Sequence, residues 1–420
     1  MKAIIVGAGI GGLALALMLH KRGIACQVFE SVRELKPMGV GINLLPHAAN
    51  ELDQLDLLEL LSGHSVQTSA LHYYNKFGQS IWAEPRGLAA GYPVPQLSIH
   101  RGQLQLLLAD VVRQRLGADA LHTGMAFESL KQDAEGITAF FRNRRDNSLE
   151  EVRADVLIGA DGIHSAVRAQ FYPANDPFLY SGRILWRAVT YAQPYLDGKT
   201  MFMAGNPDQK FVAYPIADDG AKPGKTPINW IAELSVPAPD LSTADWNRVV
   251  DKNVFADQFQ DWRWSWIDIP ALIDGAETIY EFPLVDKDPL PRWTHGRATL
   301  IGDAAHPLYP IGSNGSAQAI LDARCVADHL LRHQQKKVRS IEAALKEYEA
   351  DRLPPTTGII LRNRLNGPEQ VMQLAHERAP QGFKHIHDVV SQAELDEISM
   401  RYKRLAGFDP KALKSSAASR

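Results

Sequence analysis

The stretch Lys2-Ala3-Ile4-Ile5-Val6-Gly7-Ala8-Gly9-Ile10-Gly11-Gly12 opens the chain and decides its architecture. Lys2–Val6 is a short apolar run suited to a buried parallel strand. Gly7–Gly12 form a turn, and Leu13 to Arg22 then repeat apolar residues at helical spacing until Gly23 ends the run. Ala25-Cys26-Gln27-Val28-Phe29-Glu30 follows as a second strand, so one βαβ unit stands at the N-terminus. Gly7 permits the tight turn, Gly9 lets backbone approach a pyrophosphate, and Gly12 lets helix pack on strand, with Gly11 in the same turn. Glu30 lies 23 residues after Gly7 at the strand end, where a carboxylate accepts ribose hydroxyls.

Two further segments repeat the pattern of an apolar strand followed by a glycine turn. The first is Leu157-Ile158-Gly159-Ala160-Asp161-Gly162. The second is Leu300-Ile301-Gly302-Asp303, continuing to Pro310, Gly312, Ser313, Asn314 and Gly315 before a long helical stretch. That helix would aim its positive end at a ligand. The first motif alone says only "some dinucleotide"; all three in this order say FAD held along its length. Arg101 begins a helix running to Arg115, where a guanidinium can hold phosphate or ribityl oxygens.

Outside these motifs the pattern changes near Tyr180. Residues 180–285 are rich in aromatics and alternating runs: Ile184–Val189, Thr200–Met203, Phe211–Tyr214 and Asn229–Leu234. Asp218-Asp219-Gly220 marks a turn between two of them. These runs predict an inserted antiparallel sheet. The expected division is 1–179 with 286–364 as a discontinuous FAD-binding domain, 180–285 as a substrate-binding sheet, and 365–420 as a C-terminal helical segment and tail. Helices are expected at Ser316–Gln334 and Ile341–Asp351, with Pro354-Pro355 breaking the second. The fold class is therefore α/β: a Rossmann-like FAD domain of the glutathione-reductase type, an antiparallel insert, and C-terminal helices.

The chain has 420 residues, 22% of them charged, and a net charge of -3, which argues against nucleic acid as the main partner. The early apolar run is broken by glycines, so neither a signal peptide nor a membrane span is expected. Cys26 and Cys325 are the only cysteines; both are read as reduced core residues, with no metal-ligand spacing, in a cytoplasmic protein.

On these motifs, and on Gly39-Val40-Gly41-Ile42-Asn43, Ser98-Ile99-His100-Arg101-Gly102, Leu196–Met201, Val212–Ile216 and Asp286–Pro291, the chain resembles the single-component (group A) flavoprotein aromatic hydroxylases. These have the p-hydroxybenzoate hydroxylase fold, and the likeness is nearest to the phenazine-carboxylate monooxygenases. It spans Lys2 to about Arg364. It implies that Asp303 holds the ribityl chain, that Pro310 to Gly315 lie along the isoalloxazine, and that Arg101 contacts the FAD chain. It also implies that Asp161 and Gly162 serve FAD and the nicotinamide cofactor, and that Gly41 and Ile42 lie near the flavin ring. The loop Gly312-Ser313-Asn314-Gly315-Ser316 departs from the Gly-Xaa-Gly-Xaa-Asn string of many relatives.

The implied reaction uses NADH or NADPH, O2 and FAD to hydroxylate an aromatic or N-heteroaromatic ring, phenazine-like or phenolic, through a C4a-hydroperoxyflavin. The partners are a small aromatic substrate and O2, and the chain is a monomer or homodimer. Arg187 is expected to orient flavin or substrate, and Tyr214 to hydrogen-bond a phenol or assist its deprotonation. Trp186, Met201, Met203 and Tyr309 are expected to line an aromatic pocket. His306, His164 and the alternating Trp262, Trp264 and Trp266 are read as structural. Two alternatives stay open: a reductase or dehydrogenase of the same fold that works without O2, and a flavin-binding sensor.

Overall fold

A computed structural model describes residues 1–173, 176–217, 220–237 and 248–410. The core of the first half is a five-stranded parallel sheet. Its order is Ala298–Leu300, Val156–Gly159, Lys2–Val6, Ala25–Glu30 and Leu121–Thr123. Lys2–Val6 is central, with Ala3 facing Val156 on one side and Cys26 on the other. All three strands that precede the glycine turns thus lie side by side and end at the same edge, where ligands of open α/β sheets bind. Helices Ile10–Lys21, Arg101–Leu116 and Gly315–Gln334 pack around the sheet.

The second half is an eight-stranded sheet. It runs Arg248–Val250, Ile279–Asp286, Leu179–Ala192, Thr226–Ser235, Gln209–Pro215, Thr200–Gly205, Ala70–Tyr74 and Ser80–Pro85. Two of its strands, Ala70–Tyr74 and Ser80–Pro85, thus come from the stretch expected to belong to the FAD-binding domain. Thr200–Gly205 pairs in parallel with Ala70–Tyr74, and a parallel pair needs a crossover, so strands distant in sequence share the sheet. A smaller sheet of Gly41–Leu44, Gln96–His100 and Val66–Thr68 joins the halves.

Strand alternation divides the large sheet into two faces. One face buries Trp186, Phe202, Phe211 and Trp230 against Phe255, Phe259 and Trp262. Trp264 and Trp266 join the same aromatic cluster. The other carries Met201, Met203, Val212 and Tyr214, and partly meets Val371, Met372, Leu395 and Ile398 of the C-terminal segment.

The double proline does not end the late helix, which runs unbroken from Ile341 to Asn363. Leu345 and Tyr348 before the prolines and Ile359 and Ile360 after them are all buried, so packing on both sides holds it through. Helices Gly315–Gln334 and Ile341–Asn363 also bring Cys325, His329 and Asp351 together, which the spacing did not suggest. There His329 Nδ1 lies 3.2 Å from the Glu347 carboxylate and Nε2 2.8 Å from that of Asp351. Both cysteines are buried and free, and burial pushes their thiols up to about 12. Among the described residues no helix is long and apolar enough to cross a membrane. Asp218 and Asp219 of the expected turn, and the tail from residue 411, lie outside the described residues.

Candidate active site

One cavity of about 320 Å³ runs from the parallel-sheet edge to the inner face of the large sheet. Its first wall is backbone. Gly9, Ile10, Gly11, Ala160, Gly162, Gly302 and Asp303 line it. Helix Ile10–Lys21 has no side-chain cap, so its first N–H groups remain for a ligand. Gly7 and Gly12 stand behind this wall. A Cβ on Gly7, at φ +103°, would lie 2.5 Å from the Ala160 carbonyl oxygen; one on Gly12 would lie 2.1 Å from that of Gly7. Both are glycine because strand, turn and helix touch there.

Glu30 is tied to this turn. Its carboxylate accepts the Ala8 N–H at 2.8 Å and the Val32 N–H at 2.9 Å, and lone pairs remain for a hydroxyl. Asp161 corrects the expectation. Its side chain accepts from Ser165 Oγ at 2.5 Å and from the Val167 N–H at 3.1 Å, fixing the start of the next helix; only its neighbours Ala160 and Gly162 reach the cavity.

The second wall is the loop 302–316. Asp303, Pro310, Ser313, Asn314, Gly315 and Ser316 face the cavity, and helix Gly315–Gln334 begins without a side-chain cap. Asp303 is exposed into the open cavity. Desolvation within the crevice pushes its carboxyl up, against the pull of His306 and Arg101. Gly312 points the other way, since a Cβ there would stand 2.4 Å from the Tyr402 hydroxyl. It was expected at the cofactor and instead meets the C-terminal helix.

Behind the loop, Asp322 accepts the Gly302 N–H at 3.0 Å, pairs with His306 Nε2 at 2.5 Å and accepts from Arg352 at 2.7 Å. Burial would raise this carboxyl, but His306 and Arg352 hold it down to about 2. His306 is thus a brace for the glycine turn.

The third wall is made of side chains on alternate positions of neighbouring strands. Arg187 and Tyr214 stand at one end with Gly41, Ile42 and Arg101. Gly41 is wedged here: a Cβ would meet Asn229 at 2.7 Å and Tyr214 at 2.9 Å. Its N–H donates to Asn229 Oδ1 at 2.6 Å, and its carbonyl accepts from Arg187 Nη2 at 3.1 Å. Burial lowers the Arg187 pKa, Tyr214 opposes that, and Arg187 Nε is buried with no hydrogen-bond partner among the described residues. Burial also pushes the Tyr214 hydroxyl up to about 12, against the pull of the neighbouring Arg187 guanidinium.

Leu185, Met201, Met203, Val212 and Ile231 form the apolar middle. At the far end Lys210 pairs with Glu233 at 2.9 Å and Glu369 at 2.6 Å, and Arg183 pairs with Glu233 at 2.8 Å. Sequence reasoning missed this cluster. Its trace was visible: Lys210 and Glu233 interrupt alternating strands at inward positions.

Two expected pocket residues are not there. Trp186 lies on the opposite face, stacked on Phe255 at 4.6 Å with its indole N–H donated to Glu281 at 3.0 Å. Leu185 and Arg187 point inward; Arg187 was expected there, and its strand neighbour Trp186 must then face the other way. Tyr309 is buried with Leu185, Leu284 and Ile311, and its hydroxyl donates to the Leu179 carbonyl at 3.3 Å; Leu308 and Pro310 face the cavity instead.

The crevice fits FAD, because uncapped helix ends and glycines without neighbouring side chains face it, Gly162 and Gly315 having nothing within 4 Å of a would-be Cβ. The FAD binding domain family matches residues 1–215 and 277–362. The chain belongs to that family. Among relatives, a phenazine 1,6-dicarboxylic acid hydroxylase of Lysobacter antibioticus is 43% identical over 366 residues, covering 86% of this chain and 88% of its own. A 3-amino-4-hydroxybenzoate 2-monooxygenase of Streptomyces platensis is 31% identical over 379 residues, covering 87% of each. A Klebsiella pneumoniae structure solved with FAD and uric acid shares the fold, with TM-score 0.73 at 24% identity over 99% of this chain and 97% of that one. The protein is an FAD-dependent, NAD(P)H-using aromatic hydroxylase.

Proposed function

We propose that the substrate is a fused, planar N-heteroaromatic acid, larger than one ring and carrying a polar group near each end, with O2 as the oxygen donor. The observation that carries this is the third wall, which is polar, then apolar, then polar. From Tyr214 to Lys210 is four strand steps, about 13 Å, longer than a single ring needs. The relative that acts on phenazine 1,6-dicarboxylic acid supports the reading.

FAD held here would supply monooxygenation, in which NAD(P)H gives the two electrons, one atom of O2 becomes the ring hydroxyl and the other leaves as water. Gly9, Gly11 and the uncapped N–H groups of helix Ile10–Lys21 would hold its pyrophosphate. Glu30 would take the ribose, Asp303 and Arg101 the ribityl side, and Pro310 and Ser313 to Gly315 the ring. Arg187, which lines the cavity, would meet a substrate carboxylate with its guanidinium. Tyr214, held protonated, donates to a ring oxygen or nitrogen and does not act as the base. Leu185, Met203, Val212 and Ile231 cover the ring faces and exclude water. The two buried thiols fit a reducing compartment, the cytoplasm.

The test is NAD(P)H consumption, matched against hydroxylated product by mass spectrometry, with phenazine, quinoline, pyridine and benzoate carboxylates. Coupled turnover is expected with the fused acids. Full uncoupling to peroxide with every fused acid, or coupling only with single rings, would overturn the substrate class. Turnover under argon would overturn monooxygenation itself.

A further inference from the structure

Residues 367–408 lie beyond the family match, which ends at 362, yet they touch both working parts of the molecule. Helix Gln392–Ala406 is fastened at its start by a capping box of Ser391 and Glu394. Its Ser399 donates to Glu84 of the large sheet at 2.7 Å, and Lys403 pairs with the same carboxylate. On its other side Tyr402 reaches the cavity loop. The one hydroxyl proton has two acceptors in range, the Ile311 carbonyl at 3.2 Å and Asn363 Oδ1 at 3.1 Å. Asn363 Nδ2 in turn donates to the Tyr309 and Ile311 carbonyls at 3.1 and 3.2 Å.

The loop is shaped around this hydroxyl. Gly312 at φ +72° leaves no room for a Cβ, and Ser313 holds φ +55°, a conformation that costs a non-glycine residue energy. A second tie lies one turn along. Gln318 Nε2 donates to the Ala406 carbonyl at 3.0 Å and to Asn314 Oδ1 at 3.1 Å. From the same segment Glu369 enters the cavity and pairs with Lys210.

We infer that this segment is a strap that sets the position of loop 310–315 against the cavity, and that Tyr402 is its positioning residue. Strained Ser313 faces the cavity while Gly312 is pinned from behind, so the strap fixes how far the loop intrudes on the crevice. The inference rests on the flavoprotein reading only in placing the flavin ring against that loop.

The experiment is hydrogen exchange by mass spectrometry on Tyr402→Phe, with and without FAD, together with the FAD release rate. Loss of one buried hydrogen bond predicts exchange about five-fold faster in peptides spanning 309–316. Peptides spanning 4–12 should be unchanged. FAD release should quicken by a similar factor, and peroxide formed per NAD(P)H should rise. Gly312→Ala, which pushes a methyl towards the same hydroxyl, should give the same local signature. Unchanged exchange at 309–316 in both variants, or an equal rise across the whole chain, would overturn the inference. Exchange and FAD release do not depend on the substrate, so failure of the fused-ring reading leaves those two readouts intact.

Discussion

The backbone wall and the side-chain wall of the cavity are built differently. The parallel-sheet edge presents backbone: Gly9, Gly11, Gly162, Gly302 and two uncapped helix starts. The large sheet presents side chains, with Arg187 and Tyr214 at one end and Lys210, Glu233 and Glu369 at the other. A backbone site is generic, because every residue has an N–H to offer; it suits a cofactor common to many enzymes. A side-chain site can be rewritten strand by strand without moving the backbone, which suits a substrate that differs between relatives.

The far end of the side-chain wall should give the largest effect. Lys210→Met leaves Glu369 without its cation and Glu233 with Arg183 alone, and should cost about 3 kcal/mol, read as a lower denaturant midpoint. A change under about 1 kcal/mol would mean that Glu369 pairs elsewhere or takes up a proton. On the backbone wall, Gly12→Ala puts a methyl into the Gly7 carbonyl and should cost about 3 kcal/mol, with weaker FAD binding and unchanged selectivity among aromatic acids. A change of selectivity would show that the walls are not separable.

Arg187→Ala should leave FAD affinity within a few-fold while reducing turnover about 100-fold, near 2.7 kcal/mol. Loss of FAD instead would move Arg187 to the cofactor side of the comparison. Trp186→Phe, on the far face of the same strand, should cost about 1 kcal/mol of stability and leave KM alone. A raised KM would break the assignment of faces.

Titration sharpens the same contrast. Burial raises the hydroxyls of Tyr214, Tyr195 and Tyr348 above the ordinary 10.0. The folded chain therefore keeps protons that the unfolded chain releases. Stability from these groups is intact below pH 10 and is lost as pH rises towards 12. Alkaline melting curves should show this fall, less steeply in Tyr214→Phe. The kcat/KM profile should show no limb from Tyr214 below pH 10.

The sequence by itself determined the parallel sheet and its crevice. Glycine spacing after an apolar strand reports a local necessity, that backbone must turn and touch, and Gly7, Gly9 and Gly12 satisfy it within one turn of chain. Strands Lys2–Val6 and Ala25–Glu30 could be bounded to the residue for the same reason. It also gave Arg187, Tyr214, Met201 and Met203 as candidates, and the structure gathers them on one wall.

Only the tertiary structure decided which phase of each strand faces the cavity. Alternation tells two faces apart but does not say which one is inward, and so Trp186 was expected beside Arg187, although neighbours on one strand face opposite ways. Only the tertiary structure placed Ala70–Tyr74 and Ser80–Pro85 in the large sheet, because parallel pairing joins strands with no local signal between them. It alone brought Glu369 to Lys210 and Tyr402 to Gly312. Those contacts span 159 and 90 residues of chain, and nothing in the local spacing of either partner records the other.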